Sequence, residues 1–278
     1  MPASAVNFQY VRDFVYRQAA IVLDDGQGYL VDSRLGALAQ REGYSSVDDL
    51  VGRLRRGEPE TLPAKVVEAM TTNETSFFRD AAPFEAMRKR VIPELLNARA
   101  ATRGLRIWSA AASTGQEPYS LALLLREHFP QLDNWNVRVL GTDINGAVLE
   151  RAREARYRQL EVNRGLPAAM LIKYFQREGV DWQLAPEVKR VAHFEQLNLL
   201  DPWTRVGPCD VIFLRNVLIY FDLPTRKQIL RRVRETLRPD GYLFLGCAET
   251  PLGVDDTFER VEFEKTFYYR PLKGKETL

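Results

Sequence analysis

The fold class this sequence predicts is a doubly wound, mostly parallel α/β sheet, preceded by a small all-helical unit and carrying a small β insert. Three observations predict it. The segment from Leu105 to Leu125, LRIWSAAASTGQEPYSLALLL, reads as a strand, a loop of small residues and an amphipathic helix. Beyond it apolar runs alternate with helical ones, the rhythm of βαβ units whose strands pair in parallel. Before Asp80, by contrast, the apolar positions recur only at helical spacing.

Taken in order, Phe8, Val11, Phe14 and Val15 predict a first helix, and Ser46 with Asp49 resembles a capping box ahead of a helix ending in Arg53, Arg55 and Arg56. A helix from Ala82 to Leu96 leads into NARAATRG, residues 97–104, a small and polar stretch that is the candidate inter-domain linker. The expected division is an all-helical domain over 1–81 and an α/β domain over 82–278. In the second part the strands are LRIWS, VRVLGTD, DVIFLRN and YLFLGC, with helices between them, including one from Leu223 to Leu237. A Pro/Asp/Gly turn follows that helix, and FERVEFEKTFYYR predicts a closing antiparallel hairpin at the sheet's edge. Between Arg156 and Asn198 the rhythm is interrupted by a stretch holding Tyr157, Tyr174, Phe175 and Trp182. That is too long for a structureless loop, so residues 157–195 are expected to form a small insert with strands of its own.

The chain has 278 residues, 45% of them hydrophobic, enough for a sizeable core. Its 39 basic and 37 acidic residues leave a net charge of +2, so no overall field draws it to nucleic acid or to a membrane. The start, MPASAVNFQYVRDF, lacks the pattern of a secretory leader, and no apolar run approaches membrane-spanning length, which predicts a cytoplasmic protein. Cys209 and Cys247 sit in or beside strand-like runs and are expected as buried free thiols. With His128 and His193 the only histidines, no metal site is expected. The run RKQILRRVRETLR, residues 226–238, is tempting as an anion-binding helix, but Ile229, Leu230, Val233 and Leu237 make it amphipathic with a solvated outer face.

A loop that sheds its side chains where a strand meets a helix lets backbone approach a ligand, and the helix aims its free N–H groups there. Two acids strengthen that reading. Glu117 lies in the helix's first turn, and Asp143 ends the next strand, where a carboxylate can accept from both hydroxyls of a ribose. The residues therefore predict a nucleotide or nucleoside site, and the absence of GxGxxG separates it from the dinucleotide enzymes.

Together with the strand end at Arg215-Asn216-Val217, this sheet resembles that of the class I S-adenosylmethionine-dependent methyltransferases, a Rossmann-like fold. The resemblance narrows at three segments: TTNETSFFR (71–79), SAAASTGQEPYS (109–120) and FLRNVLIYFD (213–222) resemble the signatures of the CheR family, the chemotaxis-receptor glutamate methyltransferases. That implies methyl transfer from S-adenosylmethionine to glutamate side chains on receptor signalling helices, leaving S-adenosylhomocysteine and a glutamate methyl ester. It implies cofactor contacts from Asn73, Thr75, Arg79, Glu117, Asp143, Asn198, Leu199, Asn216 and Val217, and Arg79 and Tyr220 are the candidates for the transfer step. Asp143 and Glu117 suit ribose hydroxyls or the amino group, Asn198 suits an adenine edge, and Arg79 suits either the cofactor's or the substrate's carboxylate. Phe78 and Tyr220 are candidates for the sulfonium's surroundings.

The chemistry asks little of the protein. A glutamate with a reference pKa of about 4.3 is already ionised at neutral pH and needs no general base. Two departures from the family pattern matter. The helix around DSRLGALAQRE offers only Arg34 and Arg41 as a basic receptor-facing surface, and QREGVDWQLAPEVKRVAH lacks the Gly-rich loop of relatives that dock on a receptor's C-terminal pentapeptide. The expectation is a monomeric, tether-independent enzyme. The alternatives are a methyltransferase with another acceptor, or a signalling module that binds the cofactor without catalysis.

Overall fold

The computed structural model describes residues 5–272. Four helices come first: α1 (Ala5–Ala19), α2 (Gly28–Glu42), α3 (Val47–Arg56) and α4 (Leu62–Met70). Their apolar stripes, among them Val11, Leu35, Leu50 and Val66, close one core. Ser46 caps α3 by accepting from the Asp49 N–H, while Asp49 returns a carboxylate oxygen to the Ser45 N–H rather than to Ser46. α5 (Ala82–Ala86) runs through a π-helical turn (Met87–Val91) into α6 (Ile92–Ala98).

The rest of the chain alternates as β1 (Gly104–Ala110), α7 (Gln116–His128), β2 (Asn136–Asp143), α8 (Gly146–Glu154), then β3 (Arg156–Arg158), α9 (Gln159–Val162), α10 (Ala168–Tyr174), β4 (Phe175–Glu178), β5 (Asp181–Leu184) and α11 (Pro186–Lys189). It closes with β6 (Ala192–Gln196), β7 (Cys209–Leu214), α12 (Leu223–Thr236), β8 (Leu237–Leu245), β9 (Phe258–Phe263) and β10 (Thr266–Pro271). The main sheet has the order β6-β2-β1-β7-β8-β10-β9, parallel from β6 to β8 and antiparallel at the closing hairpin.

Period-2 alternation divides the sheet's side chains between two cores. Trp108, Ile212, Leu214, Leu243 and Leu245 face α12, whose Ile229, Leu230 and Val233 cover them. Ile107, Val211, Phe213 and Phe244 face the other way, onto Phe84, Val91 and Leu95 of the α5–α6 helix and onto α7. The order along the sheet reverses between β1 and β7, so the connections diverge there and leave a crevice at the strands' carboxyl ends.

Four expectations are corrected. Residues 97–104 join α6 to β1 inside one packed unit and separate nothing, because α5–α6 is a layer on the sheet. The insert is the antiparallel sheet β3-β5-β4 with α9 and α10, and it ends before Ala192, since β6 is the edge strand of the main sheet. With only Ala192 and Phe194 buried, that short strand gives little pattern to read. The Pro/Asp/Gly turn is a bulge within β8: Cys209 pairs with Leu237 but Val211 already pairs with Tyr242. Of the two thiols Cys209 is buried and Cys247 exposed.

Candidate functional site

The crevice at the carboxyl ends of β1, β2 and β7 is lined by all the residues singled out for cofactor contact, and by Tyr220. The loop after β1 opens it. Ala111 (φ +56°) and Ser113 (φ +50°) adopt the left-handed conformation without being glycine, as do Phe78 (φ +47°), Asp80 (φ +59°) and Asn216 (φ +58°) on the loops facing it. Such backbone persists only where the surroundings hold it. Gly115 (φ +90°) serves packing rather than ligand approach, since a Cβ there would fall 2.9 Å from the Cβ of Ala152.

Asp143 ends β2 with both carboxylate oxygens on backbone donors: Oδ2 accepts from the Ser113 N–H at 2.8 Å and Oδ1 from the Asn145 N–H at 2.9 Å. Burial pushes its pKa up, while the N–H groups of Asn145, Ser113 and Ile144 pull it back down. Each oxygen has a second lone pair, so the carboxylate still has acceptor capacity. Glu117, in the first turn of α7, accepts from the Ser109 hydroxyl at 2.8 Å and from Arg215 Nη1 at 2.8 Å.

Arg215, missed as a functional residue, links two sides of the site. Its side chain is only 1% exposed, and its Nη2 donates to Asp80 Oδ2 at 2.7 Å and to the Arg79 carbonyl at 3.0 Å. Arg79 itself reaches the Glu74 carbonyl through Nη1 at 3.1 Å. Asn73 is held through its carbonyl, which accepts from the Ser113 hydroxyl at 2.8 Å, and its Oδ1 accepts from the Thr71 hydroxyl at 3.1 Å.

Across the crevice, Asn198 donates Nδ2 to the Gln18 carbonyl at 2.7 Å and accepts from the Leu200 N–H at 3.0 Å, so much of its amide is already engaged within the protein. Its loop is pinned by Arg232 of α12, whose Nη1 donates to the carbonyls of Leu199, Leu200 and Asp201 at 3.1, 2.8 and 3.0 Å. The outer face of α12 is therefore not merely solvated. Asn216 and Val217 are held from behind by Glu249, described below.

The helical unit contributes the mouth, which no sequence motif announced. Ile21, Val22, Leu23 and Leu30 line the crevice. Three hydrogen bonds fasten this segment to the sheet side: Val22 N–H to the Tyr220 carbonyl (2.9 Å), Tyr16 hydroxyl to Asp222 (2.6 Å), and Asn198 to Gln18. Arg34, expected on a receptor-facing surface, lines the crevice and donates to the Met70 carbonyl at 2.6 Å and to the Thr72 hydroxyl at 2.9 Å. Phe78 is not part of the crevice lining; its ring packs edge-on against Phe84, with centroids 5.2 Å apart.

Residues 7–71 match the CheR methyltransferase all-alpha domain, and residues 73–267 match the CheR methyltransferase SAM binding domain. Chemotaxis protein methyltransferase 1 of Pseudomonas aeruginosa is 41% identical over 277 residues, 97% of this chain and 99% of that protein. Chemotaxis protein methyltransferase Cher2 of Pseudomonas putida is 38% identical, and the chemotaxis protein methyltransferase of Vibrio parahaemolyticus 37%, each again over 97% of this chain and 99% of the relative.

Proposed function

Because the chain belongs to the CheR methyltransferase family, and so is an S-adenosylmethionine-dependent methyltransferase of chemotaxis, we propose that its crevice carries methyl transfer to glutamate carboxylates on the cytoplasmic helices of chemoreceptors. The observation that carries this reading is the meeting, in one crevice, of Asp143 and Glu117 on one side with Arg79, Asn216 and Tyr220 around it. When bound, S-adenosylmethionine would supply an electrophilic sulfonium methyl, and a glutamate carboxylate, ionised at neutral pH, needs no base to accept it.

The residues fit such a ligand. Asp143 retains lone pairs for hydroxyl donors, and Leu199, Val217 and Ile21 offer apolar walls. Neither histidine nor cysteine lines the crevice among the described residues, in keeping with a nucleophile that needs no proton taken from it. Arg79 spends one guanidinium nitrogen on Glu74 and directs its remaining donors at a carboxylate, orienting it for in-line attack. Tyr220 lines the crevice, and the hydrogen bond that anchors it runs through its carbonyl, leaving its side chain available to the ligand.

Helices α1–α4 serve receptor recognition through exposed Arg41, Arg53 and Arg56 rather than through Arg34. The enzyme acts as a cytoplasmic monomer and independently of a receptor tether; the β4–β5 hairpin turns at Gly179-Val180 with no longer loop to seat a peptide. No helix among the described residues is long and apolar enough to cross a membrane. The test is transfer of labelled methyl from S-adenosylmethionine to receptor cytoplasmic fragments, with and without their last residues. Base-labile label on both, absent with Asp143→Ala, is expected. Cofactor binding without label on any receptor overturns the reading.

A further inference from the structure

We propose that Glu249 is a positioning residue for the transfer reaction, its buried carboxylate setting the turn that carries Asn216, Val217 and Tyr220 into the crevice; this rests on the crevice being the cofactor site. Glu249 lies just beyond β8, is 5% exposed and does not itself line the crevice. Its Oε2 accepts from the Asn216 and Gly246 N–H groups, both at 2.7 Å, and its Oε1 from those of Val217 at 2.9 Å and Ile219 at 3.3 Å. Three of these four N–H groups belong to a single turn, residues 216–219, and the fourth to the end of β8 beside it.

The local sequence is shaped around this contact. A Cβ at Gly246 would stand 2.6 Å from Glu249 Oε2 and 2.9 Å from both the backbone nitrogen and Nδ2 of Asn216, so only glycine admits the carboxylate there. The Glu249 N–H closes the turn on the Gly246 carbonyl at 2.9 Å. Because β7 and β8 run parallel and adjacent, with Leu214 opposite Leu245, the loop after one strand can plug the loop after the other. What is plugged is otherwise precarious: Asn216 is left-handed at φ +58°, and the turn over Leu218–Tyr220 that follows ends in the carbonyl that receives the Val22 N–H. One carboxylate thus fixes three lining residues and an anchor of the helical segment at the mouth.

Glu249→Gln tests this, because the amide keeps the shape but turns donors toward donors. S-adenosylhomocysteine affinity, read by calorimetry, should fall roughly tenfold or more, while the Michaelis constant for receptor fragments stays within about twofold. Hydrogen exchange at amides 216, 217 and 219 should quicken while β1 and β2 amides keep their protection. Gly246→Ala should reproduce both effects in smaller measure. Unchanged affinity despite faster exchange, or unchanged exchange, overturns the proposal. If Glu249→Gln does not fold, Gly246→Ala decides it in the same way, and if neither folds Glu249 is a folding residue and the proposal fails. Exchange needs no ligand, so a parent protein that bound no cofactor would sink the reading of the crevice and leave the clamp separately judged.

Discussion

Asp143 and Glu249 stand on opposite sides of the crevice, and both are buried carboxylates whose oxygens accept from backbone N–H groups. They use that device to different ends. Asp143 ends a strand and faces the crevice, so its N–H partners hold an acceptor in place for something else. Glu249 sits behind the wall and directs its acceptors into the protein's own turn. Burial is therefore a cost on the first side, recovered only in binding, and a source of local order on the second.

The largest test removes the residue that ties the walls together. Arg215→Met leaves Glu117 and Asp80 without their shared guanidinium; Arg215 and Glu117 are 1% and 13% exposed, while Asp80 stands at the open end of the pair. Breaking such a pair from one end should cost about 3 kcal/mol of stability, seen as an earlier denaturant midpoint at unchanged slope. A variant as stable as the parent would mean that the walls are held independently.

Asp143→Asn comes next and sets the two acids against each other. Losing the charged acceptor should weaken S-adenosylmethionine binding roughly a hundredfold. The native pKa of Asp143 lies above its ordinary value of 3.8 because of burial, so its favourable contribution is present below that value and is lost as pH rises through the native one. The Asn variant lacks that slope, so in urea melts it should gain on the parent as pH rises from the acidic range toward neutrality. A destabilised Asn variant would place Asp143 with Glu249 as scaffold.

The same contrast explains what could be read in advance. Asp143 was legible because the carboxyl end of the second strand is a position, and positions follow from the alternation of strands and helices. Glu117 and the loop after β1 were legible on the same ground. Glu249 had no such address: GCAET, residues 246–250, is an ordinary strand exit, and its meaning depends on β7 and β8 being neighbours. Arg34 and Arg232 share that history, each bonding to segments distant in sequence, so a basic surface and a solvated face were their local readings, while Arg215 read only as part of a strand end. Phe78 went astray for the converse reason, since a left-handed backbone at φ +47° sends it toward Phe84 where the motif alone suggested the crevice. The edge strand β6 was missed because only Ala192 and Phe194 in it are buried.

Smaller in effect is Tyr220→Phe. The anchoring bond to Val22 uses the carbonyl and survives the change, as does the ring that lines the crevice. Turnover should therefore fall by less than about threefold. A loss of roughly a hundredfold in kcat, with the Michaelis constants unchanged, would assign the hydroxyl to the transfer step instead.

The smallest change is a labelling rate, and it reports directly on the second wall. The buried Cys209 thiol is pushed up to about 12, chiefly by burial, and so presents almost no thiolate at mildly alkaline pH. Cys247 is exposed and lies between Gly246 and Glu249, inside the loop that closes on Asn216. A thiol reagent should therefore modify one cysteine in the native protein, with mass mapping to residue 247. If the carboxylate orders that loop, Glu249→Gln should change the rate at Cys247 while Asp143→Asn leaves it alone, since the two acids act on opposite sides. Equal responses to both substitutions would join the walls into one cooperative unit and dissolve the distinction between ligand acid and scaffold acid.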